Sequence, residues 1–142
     1  MKSRNVGKKE YVEIKGDADR LGEHNDCAVK AVALTCRVPY GVAHVTLKQL
    51  GRSNGRGTPI FMTEEAIEKL GYEMVELKRN RQPGGSRYTP KTIGERLKRG
   101  YWLCRVRHHI FAVVNGMVLD WTDGRQHRIE RIYRVTKRKA AA

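Results

Sequence analysis

The chain has 142 residues, of which 29 are Lys or Arg and 15 are Asp or Glu, so its formal net charge at pH 7 is +14. Hydrophobic residues make up 39% and charged residues 31%, which is typical of a globular protein and excludes a chain that is disordered throughout. No apolar run approaches the roughly 18 residues of a membrane span, and none near the N-terminus is typical of a signal peptide. The sequence therefore predicts a soluble protein of the cytoplasm with no membrane partner.

The length is that of one ordinary domain, which we expect at residues 10–137. The polar and basic residues 1–9 are expected to be loose, and a basic and Ala-rich tail is expected at residues 138–142. Residues 11–14 alternate between apolar and polar side chains, which predicts a short strand where the domain begins.

Helices are predicted along the first two thirds of the chain. Asn25 and Asp26 are good N-cap residues, and the apolar run over residues 27–36 that follows them predicts a helix buried on most sides. Thr63 is the expected cap of another helix. The further helices are expected at residues 40–50, 63–71 and 90–98, and loops rich in Gly, Pro and Arg at residues 52–59 and 78–87.

From Tyr101 onward the hydrophobic pattern becomes that of strands. Asn115 and Gly116 predict a two-residue hairpin turn, because both turn positions need positive φ. The expected strands lie at residues 101–107, 110–114, 117–121 and within 128–135. A helical first half followed by an antiparallel sheet is an α+β arrangement.

Cys27 is a candidate nucleophile because it lies in the first turn of its predicted helix. The free N–H groups and the positive dipole end of a helix start stabilise a thiolate. The alternative is a small buried hydrophobic residue, which is our interpretation of Cys36 and Cys104, since both lie inside apolar segments. An odd number of cysteines without metal-ligand spacing predicts neither a disulfide framework nor a structural zinc site.

The hairpin turn fixes a register that brings His109 close to Asp120. With a two-residue loop, Val114 pairs with Met117, which makes His109 and Asp120 diagonal neighbours on one face. A carboxylate there can accept the imidazole N–H and orient the ring, as in a nucleophile, base and orienter triad.

Two other interpretations of these residues stay open. His108 and His109 can be ordinary strand residues, with Asp120 a polar group at a strand end. A metal site is a further alternative, although no spacing demands it. Its ligands would be His24, Cys27, His108 and His109.

The chain resembles the papain-like cysteine peptidases, in particular the small bacteriocin-processing type and similar short phage and bacterial proteins. The matching segments are residues 25–31 (NDCAVKA), 109–121 (HIFAVVNGMVLDW) and the loop at 51–59. The resemblance implies a papain-like fold with Cys27 as nucleophile, His109 as general base and acid, and Asp120 as orienter. It also implies a peptide or protein substrate, no cofactor and no metal, and, for a phage-encoded protein, a place in the host cytoplasm or the virion.

One feature of that family is missing here. A Gln about six residues before the nucleophile usually donates to the oxyanion, and no Gln occurs in residues 19–24. The Cys27 backbone N–H remains as one donor, and Arg20, His24 and Asn25 are the candidates for the second.

The basic residues predict contact with a polyanion, either nucleic acid or an acidic protein. The members singled out are Lys78, Arg79, Arg81, Arg87, Arg125, Arg128, Arg131, Arg134 and Lys137. The sequence thus favours a papain-like thiol hydrolase, of peptidase or amidase and isopeptidase type, with a strongly basic surface. The alternative is a non-catalytic protein of the same fold that binds nucleic acid or an acidic partner.

Overall fold

The computed structural model describes residues 2–139, with side chains from residue 7 onward. Five strands form one antiparallel sheet in the order β1-β5-β2-β3-β4. The elements in chain order are α1 (Lys2–Arg20), α2 (Cys27–Thr35), α3 (Tyr40–Gln49), α4 (Ile60–Lys69), β1 (Tyr72–Glu76), α5 (Pro90–Arg96), β2 (Tyr101–Val106), β3 (His109–Val114), β4 (Met117–Leu119) and β5 (Arg131–Lys137). The predicted α+β class is confirmed.

The sheet separates two hydrophobic clusters. Helices α1 to α4 contribute to the larger cluster on one face, where Leu103, Ala112 and Val114 meet α2. Helix α5 packs on the other face, where its Ile93 lies with Phe111. Seven of the nine residues of α2 are buried, which confirms the helix predicted to be buried on most sides and fixes the position of its first residue, Cys27.

The N-terminal prediction is wrong, because α1 replaces the strand expected at residues 11–14 and covers most of the segment expected to be loose. Gly7, Tyr11, Ile14 and Ala18 follow one another at helical spacing, and the last two are 5% and 1% exposed. The short alternating stretch at residues 11–14 is compatible with a strand. The helix forms instead because it buries this longer apolar stripe against the core. The predicted C-terminal tail lies partly outside the described residues.

Helix α4 begins three residues earlier than predicted. Pro59 takes the N-cap position, and Thr63 lies inside the helix, where its hydroxyl donates to the Pro59 carbonyl oxygen at 3.3 Å. The strand β1 that follows was not predicted. It is an edge strand whose residues alternate between partly buried and exposed. Its composition alone does not predict a strand, and pairing with β5 is what stabilises the extended conformation.

The hairpin has the predicted register. Asn115 and Gly116 have φ of 48° and 83°, and Val114 pairs with Met117 as expected. The boundaries differ by a few residues elsewhere: β4 ends at Leu119, before Asp120. The last strand extends to Lys137, and α5 ends at Arg96 rather than residue 98. Within residues 2–139, no helix is long and apolar enough to cross a bilayer.

Candidate active site

Cys27 is the first residue of α2 and lies at the end of the sheet where β3 begins. Asp26 is the N-cap residue, but its side chain makes no capping hydrogen bond. It accepts instead from the hydroxyl of Tyr40 at 2.7 Å and pairs with Lys30 at 3.2 Å. The first backbone hydrogen bond of the helix is donated by the Lys30 N–H to the Asp26 carbonyl oxygen at 3.1 Å. The backbone N–H groups of Cys27 and Ala28 therefore remain available to a negative charge at the helix start.

His109 and Asp120 meet as the register predicts. The His109 Nε2 atom donates to Asp120 Oδ2 at 2.7 Å. The same carboxylate oxygen accepts from the hydroxyl of Thr122 at 2.7 Å and from its backbone N–H at 3.2 Å. Because Asp120 occupies Nε2, the other ring nitrogen, Nδ1, is the one left for Cys27. Three donors on one oxygen fix the carboxylate, and the carboxylate fixes the ring.

The thiol and the imidazole stabilise each other's charged forms. Burial by itself raises the pKa of Cys27, but interactions with His109 and with the backbone N–H groups of Ile110 and Ala28 outweigh it and lower that pKa. Burial alone would lower the pKa of His109, but Asp120 and Cys27 outweigh it and raise that pKa to about 9. Each charged form, the Cys27 thiolate and the His109 imidazolium, is thus stabilised by the other.

The other two cysteines have the opposite environment. Both are free and buried, and burial raises the pKa of Cys36 to about 12 and that of Cys104 further still. The contrast agrees with the interpretation of Cys36 and Cys104 as core residues and leaves Cys27 as the cysteine suited to nucleophilic chemistry.

Cys27 and His109 both line two clefts. The first, of about 230 Å³, is bordered by the loop at residues 57–60, by Arg105 and by the start of β3. The second, of about 670 Å³, is bordered by residues 23–26, by Tyr11 of α1 and by Trp121. The reactive pair is therefore open to a ligand from both clefts.

A buried polar cluster joins the loop before Cys27 to the loop before α4. Glu23 accepts from His44 at 2.7 Å, from Arg52 at 3.1 Å and from the Gly55 backbone N–H at 2.5 Å. The side chains of Glu23 and Arg52 are 2% and 1% exposed. Burial by itself raises the pKa of Glu23, but these hydrogen bonds outweigh it and hold that pKa at about 2. The cluster thereby fixes loops that border both clefts.

The low pKa of Glu23 predicts a pH-dependent contribution to stability. Its ordinary pKa is 4.5, so we expect the stabilisation to be complete above that pH and to disappear as the pH falls towards 2. Urea unfolding, followed by Trp fluorescence, measures the free energy of unfolding of the native protein and of Glu23→Gln. The difference between the two free energies should become smaller as the pH falls over this range. The matched control is Glu95→Gln, an acid with a side chain 90% exposed; a difference of equal size for both variants would contradict the prediction.

The three candidates for the second oxyanion donor differ in position. His24 and Asn25 border the larger cleft beside Cys27. The Asn25 amide donates one N–H to the Gly55 carbonyl oxygen at 3.1 Å, which leaves its second N–H for a ligand. Arg20 pairs with Asp17, has a side chain 72% exposed and borders neither cleft. The expectation for Arg20 is therefore not supported by the geometry.

The nine basic residues do not form one surface. Three of them line a single groove: Arg81, Arg87 and Arg131. Lys137 lies at the opposite end of β5, about 20 Å away at the usual strand rise. Arg134 lies over the ring of Trp102, 5.4 Å from its centroid, on the face that α5 covers. Arg125 lies 5.6 Å from the centroid of Trp121. The remaining exposed members are Lys78, Arg79 and Arg128.

Four residues of the site were not predicted as functional. Thr122 braces Asp120, and its place two residues after a carboxylate is a recognisable turn signal. Trp121 is 57% exposed, yet its ring lies tilted against the His109 ring with the centroids 5.1 Å apart. Tyr11 borders the larger cleft, and the wrong N-terminal prediction concealed it. Arg105 borders the smaller cleft, although no local sequence signal separates it from the other arginines.

Among residues 2–139, no three His, Cys, Asp or Glu side chains are grouped so as to hold a metal ion, which leaves the alternative metal site without a geometric basis. Comparison of the chain with protein-family models, with curated proteins and with solved structures gives no match. The side-chain geometry around Cys27 is therefore what supports a function for this protein.

Proposed function

We propose that this protein is a papain-like thiol hydrolase that cleaves a peptide or isopeptide-type amide. The observation that carries the proposal is the position of His109, which lines the same clefts as Cys27, lowers the pKa of its thiol and is hydrogen-bonded to the braced carboxylate of Asp120. Nucleophile, base and orienter are the three parts that covalent amide hydrolysis needs. Their order along the chain agrees with the resemblance to papain-like peptidases.

The proposed mechanism has two stages. The Cys27 thiolate attacks the amide carbon, forming a C–S bond and an oxyanion; the tetrahedral intermediate then expels the amine, which takes its proton from the His109 imidazolium. Water attacks the resulting thioester and gives one proton to His109, and collapse of the second intermediate releases the carboxylic acid and the Cys27 thiolate. Asp120 holds the ring in place and stabilises its protonated form throughout.

The helix start supplies the oxyanion donors in this mechanism. The Cys27 N–H makes no intrahelical bond, so it can donate to the developing negative charge. Asn25, with one amide N–H still available beside the cleft, is the better placed of the remaining candidates. Thr58, in the loop bordering the smaller cleft, has a buried hydroxyl without a partner among the described residues, and it offers a polar contact to a bound peptide.

The test is selective alkylation of Cys27. In the native protein, iodoacetamide at pH 6 to 7 should label Cys27 much faster than Cys36 or Cys104, because only Cys27 has a lowered thiol pKa. Mass spectrometry maps the label, and Cys27→Ser should abolish both the fast labelling and any amide hydrolysis. Equal labelling rates at the three cysteines in the folded protein would overturn the proposed function.

A second candidate function is binding of nucleic acid through the basic surface, favoured by the net charge of +14. If several Lys and Arg side chains neutralise phosphates, affinity for DNA or RNA should fall by orders of magnitude between about 50 and 200 mM salt, with a log-log slope of several units. A salt titration of Cys27→Ala measures this. If Cys27→Ala keeps both nucleic-acid binding and the biological effect of the protein, this candidate is favoured. If the variant keeps binding but loses the biological effect, the hydrolase is favoured.

A further inference from the structure

A groove lined with arginines continues the smaller cleft away from Cys27. It encloses about 490 Å³, and Arg105 borders both the groove and the cleft. The basic groove is defined by its four arginines and two neighbours: Arg81, Arg87, Arg105, Arg131, Asn80 and Glu130. Four cations face one carboxylate there, so a ligand that leaves Cys27 along this path enters a strongly positive environment.

The position of Arg105 has a local energetic cost. It pairs directly with Arg131 across strands β2 and β5, and like charges opposite each other destabilise a sheet. Arg131 is compensated by Glu76, whose carboxylate lies 2.8 Å from its guanidinium. Arg105 is exposed and has no carboxylate partner within the described part of the chain. The Arg87 guanidinium donates to a backbone carbonyl oxygen rather than a carboxylate. The groove therefore holds positive charge that the fold leaves uncompensated.

We infer that the basic groove binds the carboxylates of an acidic peptide segment that lies on one side of the scissile amide. This inference rests on the proposed function, because it makes the groove the extension of the Cys27 cleft. Guanidinium groups bind carboxylates through two parallel hydrogen bonds. An extended peptide advances about 3.3 Å per residue, so acidic side chains within a few residues of the reacting carbonyl reach the groove. Arg105, shared by cleft and groove, is the residue that selects them.

The placement of the other basic residues favours a peptide over a nucleic acid. A nucleic acid strand needs a positive track along its backbone, but Arg134 lies on the other face of the sheet, over Trp102, and Lys137 at the far end of β5. The groove, in contrast, brings four arginines together in one place, and one of them, Arg105, also borders the cleft of Cys27. A short acidic segment entering the site of amide chemistry fits this distribution.

The experiment measures protection of Cys27 at low ionic strength. Hexaglutamate, hexaglutamine and a six-nucleotide thymidine strand are each titrated against the rate at which iodoacetamide labels Cys27. We expect hexaglutamate to slow labelling and hexaglutamine to have no effect. Arg105→Gln should raise the hexaglutamate concentration needed for protection about 10-fold, the loss of one charged hydrogen-bonding partner. The matched control is Arg96→Gln, which removes an exposed arginine of α5 outside the groove and should behave as the native protein does.

Each result separates the groove from the thiol chemistry. If Cys27 is selectively reactive but hexaglutamate gives no protection, or protects Arg105→Gln equally well, the groove inference is wrong and the proposed function stands. Stronger protection by the thymidine strand than by hexaglutamate also overturns it. If Cys27 is not selectively reactive, the proposed function fails, and fluorescence anisotropy of labelled hexaglutamate decides on the groove: binding weakened by Arg105→Gln supports it, and no binding refutes it.

Discussion

His109→Ala should lower the rate of Cys27 alkylation at pH 6.5 by about 10-fold. In the native protein the imidazolium lowers the thiol pKa against the opposing effect of burial. Without the ring, burial raises the thiol pKa above its ordinary value, and each unit of that change lowers the thiolate fraction at pH 6.5 about 10-fold. The measurement is the time course of iodoacetamide labelling at Cys27, followed by mass spectrometry. Hydrolysis of any peptide substrate should fall with it, because the same ring carries the proton to the leaving amine.

His108→Ala is the matched control for this prediction. His108 is the neighbouring residue, exposed in the turn before β3 with a φ of 59°, and it is not a hydrogen-bonding partner of Asp120. Its replacement should leave the labelling rate of Cys27 largely unchanged, although alanine tolerates this positive φ less well than histidine and should lower stability slightly. Loss of reactivity in His108→Ala with retention in His109→Ala would mean that the wrong histidine has been assigned to the thiol.

The features of the site that could be predicted from the sequence are those determined by residues close together in the chain. A two-residue Asn115-Gly116 turn allows one register, and that register alone brings His109 to Asp120. The start of α2 could be located because a polar pair precedes a long apolar run. In both places local chemistry and burial favour the same structure, so a single sequence carries enough information.

The remainder depends on contacts between segments distant in the chain. Nothing near Glu23 indicates that Arg52 and His44 will meet it, and that cluster is what ties the loop before Cys27 to the loop at residues 53–57. The α1 error has the same origin. A four-residue alternation was weighed alone, whereas the stripe from Gly7 to Ala18 becomes meaningful only once a core exists to cover it. The role of Arg105 could not be predicted either, because it depends on the pairing of β2 with β5, which places Arg105 opposite Arg131.

Two substitutions, Asp120→Asn and Asp120→Ala, separate the effect of the Asp120 charge from its role in orienting the His109 ring. Asp120 is the main side chain that raises the pKa of His109 to about 9 against the effect of burial. A raised pKa keeps the imidazolium charged at pH values below it, so removing the carboxylate charge should move loss of the imidazolium to lower pH. Asp120→Asn keeps an acceptor for Nε2. It should shift to lower pH the alkaline limb of the pH profile of hydrolysis, because expulsion of the amine requires the imidazolium as its proton donor. Asp120→Ala should show the same shift together with a fall in hydrolysis of about 100-fold or more, because the ring is no longer held.

Asp123→Asn is the control for the Asp120 pair, since it removes an exposed acid three residues away that makes no hydrogen bond to His109. Both limbs of its pH profile of hydrolysis should match those of the native protein. Thr122→Val adds a second check on the geometry: it deletes the hydroxyl donor to Asp120 Oδ2 at 2.7 Å while keeping the volume and the charge. We expect it to lower hydrolysis more than it moves the profile, because it loosens the carboxylate without neutralising it. An unchanged alkaline limb in Asp120→Asn would show that Asp120 does not set the charge of His109.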